Sequence, residues 1–160
     1  MFERFQVYRF ALDYPQGCVI SFGKKSLRRR GYVIMELPGT LRILVSWGQL
    51  DQIVGRYATT EVHARHSLSK LSKAGDLKEI RLIDTSTVRV NSHEATATHF
   101  VVTSAYPIFG KYRNRDTRSI HVHCQESNRF FILNLSTRAD TQSSETTSVS
   151  ERLRESFRCH

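Results

Sequence analysis

The stretch SIHVHC, Ser119 to Cys124, sets two histidines two residues apart with a thiol directly after the second. These are ligand types that zinc accepts. Strand geometry decides what they can do together. Successive side chains alternate faces, so His121 and His123 share one face and Cys124 points from the other. The hexapeptide alone is therefore not a metal site. A third nitrogen has to come from a neighbouring strand, and His99, which shares a face with His93, supplies it in the register that sets His99 opposite His123. A slip of one residue puts His99 on the opposite face. His99, His121 and His123 are the candidate metal ligands, and Cys159-His160 of the tail is a further pair that could cap them. The expectation is a histidine patch on a sheet strand, with no metal and no cofactor. His63 and His66, three apart on a helical stretch, read as a surface pair.

The second group of chemistry-bearing residues is basic. The chain of 160 residues has a formal charge of +9, and 18 of its 24 basic residues are arginine, the side chain that forks onto carboxylate and phosphate in two-point contacts. Two loops concentrate that charge. Lys24, Lys25, Arg28, Arg29 and Arg30 fall within seven residues, and Lys111, Tyr112, Arg113, Arg115 and Arg118 follow Phe109 in FGKYRNRDTR. An acidic protein surface suits both loops. Nucleic acid suits them as an alternative, with phosphates on the arginines and bases stacked on Phe109 or Tyr112. RRM, KH and helix-turn-helix signatures are absent.

Enzymatic chemistry finds little support. The chain has no GxSxG, no HExxH and no glycine-rich phosphate loop, and the histidines of HEATATH are six apart on a strand-like stretch. Cys18, Cys124 and Cys159 make an odd number with no CxxC. Reduced thiols in a cytoplasmic protein are the expectation, without a disulfide framework. The opening MFERFQVYRFALDYP has no apolar run of signal-peptide type. No segment approaches the roughly 18 apolar residues of a membrane span.

These residues need a scaffold. ERFQVYRFALDYP alternates as one strand up to the turn YPQG, and CVISF, YVIMEL and LRILVSWG follow as further strands. A helix from Thr59 or Thr60 to a Gly75 C-cap carries Ala64, Leu68 and Leu71 at helical spacing, with Tyr57 extending the stripe. LKEIRLID and TVRVNSHEATATHFVVTSAYP return to strands, and IHVHCQ pairs with RFFILNLST through a short turn at Ser127-Asn128. A polar linker, about 138–147, leads to a helix over about 148–157, for which Ser148 and Glu151 form a capping box. Strands grouped by hairpins, with helices left to cover the faces, predict one domain over 1–160. Its class is α+β, with a central, mainly antiparallel sheet.

The run into LDYPQG, the central helix, the strand VRVNSHEATATHF and the last helix ending RESF together resemble the PsbP-like superfamily. That group includes the extrinsic subunit of the photosystem oxygen-evolving complex and a Ran-binding nuclear import factor. Cys18 stands where the family commonly has a tryptophan, and Ser92 where it often has glycine. The resemblance implies an α-β-α sandwich and a protein that acts by docking onto a larger assembly, without catalysis; the basic loops add that its partner is acidic.

Overall fold

The computed structural model describes residues 1–104, 113–139 and 143–160. The chain opens with a hairpin, β1 (Phe2–Val7) and β2 (Phe10–Pro15), where the sequence pattern reads as one strand. Tyr8 and Arg9 form the turn with φ of 54° and 55°, the paired positive φ values of a primed two-residue turn. The turn makes partners of Phe5 and Leu12, which strict alternation would send to opposite faces, and both are buried.

A seven-stranded sheet follows: β3 (Val19–Phe22), β4 (Gly31–Leu37), β5 (Leu41–Gln49), β6 (Leu77–Val90), β7 (His93–Ser104), β8 (Asn114–Cys124) and β9 (Arg129–Arg138). Its order is β3-β4-β5-β9-β8-β7-β6 with every neighbouring pair antiparallel. Alternation along these strands produces the layers. Val33, Met35, Ile43, Val45, Trp47, Ile120, Val122, Phe131, Leu133 and Leu135 line one face and form the core with Phe10, Leu12, Leu153 and Phe157. The β1–β2 hairpin and α2 (Ser143–Ser156) cover that face.

The other face carries α1 (Thr60–Ser72), packed on β6, β7 and β8. Thr59 caps it by accepting from the Val62 amide at 3.2 Å, a bond typical of an N-cap threonine. The helix ends at Ser72 with Lys73 as C-cap, short of Gly75. The Lys73 amide closes the last turn onto the Lys70 and Leu71 carbonyls, so no left-handed glycine is required. The last helix begins at Ser143, so the Ser148/Glu151 pair lies inside it and is not its cap. Thr146 holds the early turns to the sheet through Thr137, Oγ1 to Oγ1 at 3.3 Å. Within the expected linker, residues 140–142 lie outside the described residues. Helices on both faces of an antiparallel sheet make this an α+β fold, as expected.

Candidate functional site

The Lys24–Arg30 loop and the described residues of the second basic stretch, Arg113 and Arg115, lie at opposite ends of the sheet. The first runs directly into Gly31, which pairs with Trp47, and Trp47 pairs with Phe131 and Phe131 with Val122. It therefore shares a sheet end with Cys124 and Arg129. Arg113 precedes Asn114 at the other end, where Arg115 pairs with Arg138. Nine residues of β8 separate the ends, roughly 30 Å. Lys111, Tyr112 and Phe109 lie outside the described residues. Arg118 does not belong to the loop: it sits within β8 opposite His99 and Leu135. There it lines a shallow cavity of about 250 Å³ with His99, Glu151 and Arg154.

The Lys24–Arg30 turn is exposed yet held in place. Backbone bonds run from Ser26 to the Gly23 carbonyl (2.9 Å) and from Leu27 to the Arg30 carbonyl (2.8 Å), and the Trp47 indole donates to the Leu27 carbonyl at 2.8 Å. Lys24, Lys25, Arg28, Arg29 and Arg30 all face solvent. Among the described residues none of the five is ion-paired. Beneath them lies an open cleft of about 390 Å³ lined by Arg28, Arg29, Gln49, Ser127, Asn128 and Arg129.

Arg129 ties this end together. It is buried and donates to four carbonyls: Tyr8 (2.7 Å), Arg9 (2.7 Å), Arg28 (3.2 Å) and Cys159 (2.9 Å). Its guanidinium also lies 4.8 Å from the centre of the Phe131 ring. Burial, with the nearby charge of Arg28, lowers its pKa to about 10, and it stays charged at neutral pH. The left-handed turn at Tyr8-Arg9, the basic loop and the C-terminal tail thus share one cation. Nothing in the sequence singles out Arg129, because a lone arginine opening RFFIL carries no pattern.

The histidines separate by register. His99 pairs with Arg118 and Thr96 with His121, so His99 lies on the face opposite His121 and His123. The three do not converge, and the expected His99 opposite His123 is corrected. His99 instead contacts Asp116, Nε2 to Oδ1 at 2.9 Å. The histidine that joins His121 and His123 comes from α1. His63, read from sequence as a surface residue, is buried, with its Nδ1 3.2 Å from His123 Nε2 and its ring 5.0 Å from that of His121. Tyr57 stacks on it at 4.8 Å. Burial, reinforced by the neighbouring histidines, lowers His63 to about 4 and His121 to about 3. Both are neutral at pH 7, which suits a packing cluster. His66 is exposed.

Cys124 points to the core face, as alternation requires, and there meets the tail. Cys124 and Cys159 form a disulfide, against the expectation of reduced, unpaired thiols; Cys18 is the free cysteine. The tail is anchored: Ala11 and Arg158 exchange backbone bonds of 2.9 and 2.8 Å, and Cys159 is buried. His93 Nε2 and His160 Nδ1 each stand 3.3 Å from Cys159 Sγ, and His160 Nδ1 is 3.8 Å from Cys124 Sγ. The ligand atoms of these four residues all lie within 4.8 Å of one another. Period-two spacing already placed Cys124 away from His121; His93, expected with His99 on the His121 face, moves to the Cys124 face with the corrected register, and the docking of the tail had no signal in the sequence.

No family model and no curated protein matches this chain. Solved structures do. Cyanobacterial PsbP (CyanoP) from Synechocystis sp. PCC 6803 superposes with a TM-score of 0.70 at 15% identity, covering 99% of this chain and 92% of that one. The Saccharomyces cerevisiae Ran-binding protein Mog1p gives 0.60 at 9% identity, over 99% and 95%. A protein of unknown function from Pseudomonas aeruginosa gives 0.55 at 12%, over 96% and 94%. With its two helices on an antiparallel sheet and matches along its whole length, the chain has the PsbP-like fold.

Proposed function

We propose that this protein is a non-enzymatic interaction module that binds an acidic protein surface through the Lys24–Arg30 turn and the cleft below it. The observation that carries this reading is the turn itself. It presents five exposed cations without ion-pair partners among the described residues, on a backbone already fixed by hydrogen bonds, so little freedom is lost when a partner docks. Complementary charge of this kind speeds encounter and selects orientation. The separation of the Lys24–Arg30 turn from Arg113 and Arg115 disfavours a continuous track for nucleic acid. A structural neighbour, Mog1p, is named for binding a protein, Ran. No helix among the described residues is long and apolar enough to cross a membrane, and a cytoplasmic setting completes the proposal.

A pull-down from native cells with and without nuclease tests it. Partners that resist nuclease and are lost from the Arg28→Ala/Arg29→Ala/Arg30→Ala variant support a protein ligand. Loss of all partners on nuclease treatment replaces this reading with nucleic-acid binding.

A further inference from the structure

We infer that His93, Cys124, Cys159 and His160 form a zinc site when the Cys124–Cys159 disulfide is reduced. The four residues come from three places in the sequence. His93 opens β7, Cys124 closes β8 across the ladder from it, and Cys159-His160 arrive on the tail. Two imidazole nitrogens have no reason to crowd a disulfide, yet both rings present a nitrogen to its sulfurs at 3.3 to 3.8 Å. A tetrahedral zinc with Zn–S near 2.3 Å and Zn–N near 2.0–2.1 Å holds its ligand atoms roughly 3.3–3.8 Å apart. Three of the four nitrogen–sulfur separations already fall in that range and all the ligand atoms lie within 4.8 Å of one another, so a metal needs the sulfurs to part and the remaining atoms to draw in slightly.

The surroundings fit the ion. Two thiolates neutralise its charge, and the Cys2His2 donor set suits zinc over hard cations. Glu126 adds a carboxylate at the rim, with Oε2 3.6 Å from His93 Nε2 and 3.7 Å from Cys124 Sγ. The tail is held by the Ala11–Arg158 backbone bridge and by the Arg129 bond to the Cys159 carbonyl. The site is thus positioned before a metal arrives.

The chemistry balances. A phosphine reductant passes two electrons to the disulfide, cleaving the S–S bond, and takes its oxygen from water to become a phosphine oxide. Two thiols result. Zinc then binds both sulfurs as thiolates and releases their two protons. In a cell a dithiol supplies the electrons and closes to its own disulfide.

The test uses full-length protein without a histidine tag, reduced with a water-soluble phosphine and titrated with zinc and with cobalt(II). The expected result is one zinc per chain by elemental analysis after dialysis. Cobalt should give the thiolate charge-transfer and strong visible bands of a tetrahedral site. His160→Ala removes an exposed side chain and should leave the fold intact while weakening zinc binding by about tenfold or more. His93→Gln should act alike, and Cys159→Ser should abolish the charge-transfer band. Protein kept oxidised should bind no zinc at this site. Reduced protein without stoichiometric zinc overturns the inference. So does zinc that survives both His160→Ala and Cys159→Ser, and so does zinc removed only by His63→Ala, which would place the metal in the other histidine cluster. Should Cys159→Ser fail to fold, His160→Ala alone decides.

Discussion

Arg129 donates to the carbonyl of Cys159 at 2.9 Å, so a residue at the start of β9 fastens the last turn of chain. The same guanidinium holds the Tyr8, Arg9 and Arg28 carbonyls, and a lysine cannot reproduce that fork. Arg129→Lys should destabilise the protein by roughly 3 kcal/mol, since several charge-assisted bonds are lost and carbonyls are left buried. Urea denaturation measures the loss, and hydrogen exchange should quicken at the amides of Ala11 and Arg158. Unchanged exchange there would show that the tail is held by other contacts.

The histidine cluster predicts a pH dependence. Folded values of about 4 for His63 and about 3 for His121 lie below the ordinary 6.5, because burial and the facing His66 and His123 oppose a charge. The unfolded chain therefore takes up protons first. Stability is complete above about pH 6.5 and falls as the pH drops towards 4, by roughly 3 kcal/mol for His63 alone. His63→Phe keeps a ring against Tyr57 and Phe130 and should flatten the profile measured by urea denaturation between pH 7 and 4. A variant whose profile keeps the full slope would place the proton uptake elsewhere.

Gly48 faces Phe130 across the β5–β9 ladder, and a Cβ built there meets the ring at 2.5 Å. Gly48→Ala should cost about 1–3 kcal/mol through overpacking. Combining it with Phe130→Leu should recover part of that cost, giving a coupling above about 0.5 kcal/mol. Additive losses in the double mutant would mean that the ring moves aside freely.

For the basic turn, Arg28→Ala/Arg29→Ala/Arg30→Ala should slow association with the acidic partner about tenfold or more at low salt, with a smaller effect as salt rises. Arg113→Ala/Arg115→Ala, at the far end of the sheet, should leave the rate nearly unchanged. Equal slowing by both variants would assign binding to overall charge and not to one end.

The fold class was legible because alternation and hairpin punctuation are local signals. IHVHC and RFFIL paired as expected through Ser127-Asn128, and Leu153 and Phe157 are buried as expected of the last helix. The opening hairpin was not legible, since its turn uses Tyr8 and Arg9 where asparagine or glycine would have announced positive φ. The candidate site was half visible. Alternation separated Cys124 from His121 and His123, but the β7–β8 register that removes His99 is set across a loop, and His63 reaches the sheet only by helix docking. Distance in sequence hid the rest: His93, Cys124 and Cys159 are joined by tertiary closure alone.

The bridge between Ala11 and Arg158 also bears on biosynthesis. The first hairpin emerges early from the ribosome, yet the surface it must cover is completed by Leu153, Phe157 and Cys159, and Asp13 awaits the Ser156 hydroxyl at 2.8 Å. Until those late residues leave the exit tunnel, Phe10 lacks its Phe157 neighbour and Asp13 its Ser156 partner. Such a chain invites chaperone capture, because its core stays incomplete until Leu153, Phe157 and Cys159 join it.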